Sequence, residues 1–167
     1  MAVDEELFLE IMSSFPTGVT VVTTMTASGT PKGLTVSAFC PVSLHPPLVL
    51  VCLDNQSSTL EAIREGGMFT VNFLAAGREE LARRFASKSE DKFEGTPWET
   101  PIPEGGPILT DDSGAYVVCR VAQTIEAGDH WVLLGEVEGG NLRADHLPLL
   151  YGKRTFSTWA LPGDIPG

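Results

Sequence analysis

Apolar and polar positions alternate with period two over most of this chain, and helical spacing takes over in three short stretches. Leu7, Phe8, Ile11, Met12 and Phe15 recur at intervals of three and four, which predicts an amphipathic helix over 4–14 that Pro16 helps to end. Residues 18–25 are β-branched, 27–32 read as a turn, and 33–39 return as a hairpin partner. The run 48–53 is apolar on both faces of the pleat. If one face lines a barrel, the other must also be covered, by a helix or by a second subunit. Ser57-Ser58-Thr59 precede Leu60-Glu-Ala-Ile-Arg-Glu65, and Gly66-Gly67 follow, which predicts a hydroxyl-capped helix stopped by glycine. Residues 68–74 form a further apolar strand, and 79–86 a helix with Leu81, Ala82 and Phe85 inward. A long proline-rich loop carrying Trp98 spans 94–107. Between 116 and 137 two alternating strands face each other across Ala127-Gly-Asp-His130, and 147–151 and 155–159 close the pattern. No internal repeat is visible, and the tail 161–167 is expected to fray. These elements predict a mainly β fold, an antiparallel barrel with a few peripheral helices.

A chain of 167 residues reads as one domain over 1–167, with its core at 15–159. A hydrophobic fraction of 43% is enough for a core without metals or disulfides. The net charge of −11 speaks against nucleic-acid binding, which needs an opposing basic field. It leaves room for a small anionic ligand held by a local basic cluster. Cys40, Cys52 and Cys119 lie on apolar stretches without metal-ligand spacing, and read as reduced, buried thiols of a cytoplasmic protein. The acidic start is unlike a signal peptide, and no apolar run reaches membrane-spanning length, so no membrane association is expected.

Candidate chemistry concentrates in residues 33–53. Thr35, Ser37 and Phe39 share one pleat face, and Leu34, Val36 and Ala38 the other. The chain then turns at a proline and runs into a second apolar strand, a pairing that suits a flat cofactor with a polar edge. Thr35 and Ser37 either bond the heteroatoms of such a ring, with backbone groups released near Pro41, or face water at a sheet edge. The polar turn Asp54-Asn-Gln-Ser-Ser-Thr59 opens a helix. Its N–H groups and the Ser57 and Thr59 hydroxyls form either a phosphate site or an ordinary cap. Arg83 and Arg84 follow Glu79 and Glu80 by four residues, the spacing of surface ion pairs. Lys88 and Lys92 have no such partner and are candidates for a ligand phosphate or a solvated face. His45 and His146 read as structural. His130, at a hairpin tip, either donates a proton or hydrogen bond or is a turn residue without a task. The chain lacks Gly-x-Gly, a P-loop, a Gly-x-Ser-x-Gly elbow and any metal pattern. A nicotinamide would therefore bind without a dedicated dinucleotide domain.

In sequence order, Phe15-Pro-Thr-Gly-Val-Thr-Val-Val-Thr-Thr24, the stretch 33–53, Ser57 with Thr59, Phe69-Thr-Val-Asn-Phe-Leu74, Asp91-Lys-Phe93, Gly128-Asp-His130, Gly135-Glu-Val137 and Pro148-Leu-Leu-Tyr151 resemble the flavin reductase-like family. The resemblance runs from Phe15 to Trp159. It implies an antiparallel, Greek-key split β-barrel of the FMN-binding kind, forming homodimers. It implies reduction of FMN or FAD by NADH or NADPH through direct hydride transfer, with reduced flavin passed to a flavin-dependent monooxygenase. On that likeness Thr35, Val36, Ser37 and Ala38 border the isoalloxazine ring, and Cys52, Leu53 and Asp54 lie beside the ring or ribityl chain. Ser57 and Thr59 approach the phosphate, Lys88 and Phe93 close that end, His130 lies near the nicotinamide, and Tyr151 falls near the site. A non-catalytic flavin module and a phosphorylated-vitamer oxidase of the related split-barrel group are the competing readings.

Overall fold

The computed structural model describes residues 3–102 and 104–159, so the expected fraying at 161–167 falls outside the described residues. In chain order the elements are α1 (Glu5–Ser13), β1 (Thr17–Gly18), β2 (Thr20–Met25), β3 (Pro31–Val36), β4 (Phe39–Leu44), β5 (Pro47–Asp54) and α2 (Ser58–Gly66). They continue with β6 (Met68–Leu74), α3 (Glu79–Ala86), β7 (Ser113–Ala127), β8 (His130–Leu142), β9 (Leu149–Gly152) and β10 (Thr155–Thr158).

Seven strands form one antiparallel sheet in the order β3-β2-β6-β7-β8-β5-β4, and β1-β9-β10 form a second. The two edge strands of the large sheet, β3 and β4, are consecutive in the chain and joined by Ser37-Ala38 alone. Seven flat strands at ~4.8 Å spacing are about 29 Å across, far beyond the reach of so short a link. The sheet must therefore curl until its edges meet. The Cys52 amide donates to the Ala38 carbonyl at 3.0 Å and fastens that seam. The result is a split barrel, mainly β with few helices.

The interior follows from alternation. Val22, Val36, Val51, Leu53, Phe69, Val71, Cys119 and Leu133 point inward from six strands and meet Leu60 and Ile63 of α2. Burying a side chain such as Leu133 contributes roughly 2–3 kcal/mol. Ser57 accepts from the amides of Thr59 and Leu60 to start α2, and Gly67 ends it at a φ of 71° that favours glycine. On the opposite face of β2, Val19 and Val21 pack with Leu74, Leu149 and the α3 residues Leu81, Ala82 and Phe85. That cluster sets α3 against β3.

Four expectations are corrected. Pro41 makes no turn; it sits within β4 beside a bulge, and the chain reverses at the cis His45–Pro46 bond. Proline is tolerated there because β4 is an edge strand. Helix α1 forms where its spacing predicts, yet none of its residues is buried. Cys40 is exposed rather than buried, although all three thiols are free. The i to i+4 spacing of Arg83 and Arg84 does not produce ion pairs. Arg84 donates to Glu94 O at 3.2 Å and Thr96 Oγ1 at 3.1 Å, and Arg83 lies 4.9 Å above the Phe156 ring.

Candidate active site

Three segments far apart in sequence converge on an open cavity of about 540 Å³. Pro31, Lys32, Gly33 and Leu34 of β3 form one wall; Asp54, Gln56, Ser57, Ser58 and Thr59 form a second. The chain leaving α3 supplies the third, with Ser87, Lys88, Ser89, Glu90, Lys92 and Phe93.

Each wall is held by local chemistry. Asp54 Oδ1 accepts the Gln56 amide at 2.7 Å and Asp54 O accepts the Ser57 amide at 3.1 Å, which folds the turn ahead of α2. Gly33 must be bare. A Cβ there would sit 2.7 Å from the Phe85 ring and 3.2 Å from Phe93, rings packed edge to face at 4.9 Å. Lys92 Nζ donates to Phe85 O at 3.0 Å and Gly33 O at 3.3 Å, tying the end of α3 to β3. Burial, and then the charge of Lys32, lowers the Lys92 pKa. Among the described residues, Lys32, Lys88 and Lys92 make no ion pair with a carboxylate. An amide-bearing helix start and unpaired ammonium groups are a donor set suited to phosphate, in a chain of net charge −11.

Of the residues singled out from sequence, Asp54, Ser57, Thr59, Lys88 and Phe93 line this cavity together. Others lie in a row leading to it. Ser37 and Ala38 are exposed in the seam, Cys52 touches Ala38 through its amide, and Cys52 and Asp54 share the outer face of β5. His130 pairs with Asp54 across the β5–β8 ladder. The Asp129 carbonyl accepts the Asn55 amide at 3.0 Å, which docks the β7–β8 turn beside the cavity wall. His130 Nδ1 lies 2.7 Å from Asp129 Oδ1, and this hydrogen bond holds the Asp129 carboxyl below its usual range. Burial pushes the Cys52 thiol up, so it stays protonated and offers no nucleophile.

Four residues stand apart. The side chains of Val36 and Leu53 point into the barrel interior, so only their backbone can meet a ligand outside it. The Thr35 hydroxyl donates to Ala82 O at 2.7 Å, on the sheet face under α3. Tyr151 packs against Phe156 at 5.0 Å in the cluster outside the barrel. Sequence reasoning missed Lys32, which reads as a turn residue and meets Lys88 and Lys92 only through the fold. It also missed Arg64, 4.3 Å above the Trp131 ring next to His130. Among the described residues no cluster of His, Cys, Asp and Glu could hold a metal ion.

Residues 12–160 match the model of the flavin reductase like domain. A flavin reductase (NADH) of Kitasatospora aureofaciens is 44% identical over 163 residues, 97% of this chain and 85% of that protein. A flavin reductase (NADPH) of Lentzea aerocolonigenes is 42% identical over 153 residues, 92% of this chain and 89% of its own length. The crystal structure of a nitrilotriacetate monooxygenase component B homolog from Mycobacterium thermoresistibile superposes with a TM-score of 0.90 at 33% identity, covering 98% of this chain and 91% of that one. The split barrel and its rim thus define the class, and the chain belongs to the flavin reductase like domain family.

Proposed function

We propose that this chain uses NADH or NADPH to reduce FMN or FAD and hands the reduced flavin to a partner monooxygenase. The observation that carries the reading is the junction of a lysine-lined cavity with the row Ala38, Cys52, Asp54 and His130. The cavity suits the phosphorylated end of a flavin, and the row suits the ring. When bound, flavin supplies a hydride acceptor that takes the hydride directly from the nicotinamide.

The protein's own task is then to bind, stack and exclude water. Ser57, Thr59 and Lys88 hold the phosphate end, and Phe93 packs behind them. The Ser37-Ala38 and Cys52–Asp54 backbones border the ring, with Val36 and Leu53 fixing those strands from inside and Thr35 anchoring β3 to α3. His130, oriented by Asp129, meets the nicotinamide, and Tyr151 supports the neighbouring sheet. No residue needs to act as a strong base or nucleophile. The working form is a homodimer: Leu48, Leu50 and Cys52 of β5 and Val132 and Leu134 of β8 are half-exposed on one outer face that α2 and α3 do not cover. Three free thiols suit the reducing cytoplasm.

Purified protein with FMN or FAD and each nicotinamide, followed by nicotinamide oxidation, tests the reading. Oxidation above the protein-free rate is expected. Flavin binding without oxidation would instead mark a non-catalytic module. His130→Ala should lower turnover about tenfold while shifting flavin affinity far less. Equal turnover would remove His130 from the site.

A further inference from the structure

The cavity offers two separate sources of positive potential, one more than a single phosphate needs. The first is the start of α2. Ser57 Oγ accepts the Thr59 and Leu60 amides at 3.2 and 3.4 Å, while the Ser58 amide has no protein acceptor among the described residues. That amide, the flanking hydroxyls and the helix dipole form a place for one phosphate. The second source comes from the other two walls. Lys92 is committed to Phe85 O and Gly33 O and cannot follow a ligand. Lys32, half-buried, and Lys88, exposed, have no such commitment and no carboxylate partner among the described residues.

In a chain with 22 acidic and 11 basic residues, lysines grouped without acidic partners are a costly arrangement. Two carboxylates also line the cavity. Asp54 is engaged by the Gln56 amide, and Glu90 is exposed. The volume agrees with a larger occupant: about 540 Å³ dwarfs a phosphate group, the size of a few waters at ~30 Å³ each.

We propose that this cavity takes a diphosphate, the first phosphate at the start of α2 and the second on Lys32 and Lys88, so that FAD binds more tightly than FMN. The inference rests on the reading of this site as a flavin pocket. The same diphosphate chemistry occurs in the nicotinamide dinucleotide, and the test separates the two sources.

Dissociation constants for riboflavin, FMN and FAD are measured by flavin fluorescence on the full chain and on Lys32→Ala/Lys88→Ala. FAD is expected about tenfold tighter than FMN in the native chain, as one added charge-assisted phosphate contact provides. In the double variant FAD falls to the level of FMN and riboflavin is unchanged. Lys88→Gln, a change at an exposed position, closes part of the gap and serves if the double variant does not fold. FAD no tighter than FMN, or a gap that survives both changes, overturns the proposal while leaving the flavin pocket standing. A raised KM for NADH with unchanged flavin constants assigns the cavity to the nicotinamide dinucleotide and also overturns it. If none of the three flavins binds, the pocket reading itself fails, and the proposal with it.

Discussion

Val36 and Gly33 are three residues apart on β3, yet they serve two regions built on different terms. Val36 faces the barrel interior, where Val51, Leu53, Phe69 and Leu133 are fully buried and contacts are apolar. Gly33 faces the cavity wall, where a missing side chain admits Phe85 and Phe93 and an ammonium group bridges two carbonyls. The interior is held by filling volume. The wall is held by a gap and a few directed hydrogen bonds, which leaves Lys32 and Lys88 uncommitted. Stability and ligand binding should therefore respond separately to change in the two regions.

The sharpest separation comes from Leu133→Ala, which leaves a void among fully buried neighbours. A loss of about 3 kcal/mol is expected in urea unfolding, with flavin affinity of the folded protein nearly unchanged. Gly33→Ala should cost less, about 2 kcal/mol, because the Phe85 and Phe93 rings must give way. It should weaken flavin binding more than Leu133→Ala does, and the reverse order would erase the distinction between the regions. Lys92→Met keeps the bulk but deprives two carbonyls of their donor, with about 1.5 kcal/mol lost on thermal unfolding.

A smaller effect probes the interior by pH. Burial, with a further push from Glu138, raises the Cys119 thiol from 9.0 to about 12. Above pH 9 the unfolded chain releases a proton that the folded chain keeps, so stability falls as pH rises toward about 12. At pH 10 this thiol accounts for about 1 kcal/mol of that fall. Cys119→Ala should flatten the decline, whatever its own effect at neutral pH, and an unaltered slope would show the interior to be wetter than its packing.

Much of this division was legible in the sequence. Period-two alternation marks β2, β5 and β6, and the Ser57 and Gly67 caps mark α2, because both signals are local. The assembly Asp54, Ser57, Thr59, Lys88 and Phe93 was found through the family resemblance, since no local rule joins residue 54 to residue 93. Alternation on β3 separates Thr35 from Val36 but cannot say which face meets a ligand. That depends on α3, placed by the contact of Phe85 with Gly33. Spacing likewise suggests partners for Arg84 on its own helix, whereas its partners Glu94 and Thr96 arrive on a loop that folds back. Lys32 was missed for the same reason: its importance is a matter of who its neighbours are in space.

The proline inside β4 has a consequence at high concentration. An edge strand with every amide free is a template on which another chain can grow a sheet. In β4, Pro41 has no amide to offer and the adjacent bulge disturbs the repeat, while Val42 and Leu44 are exposed. The opposite edge, β3, opens with Pro31. Both rims of the split barrel are thus blunted against chain-on-chain stacking, and the opening through which a cofactor must pass need not become a seed for fibres.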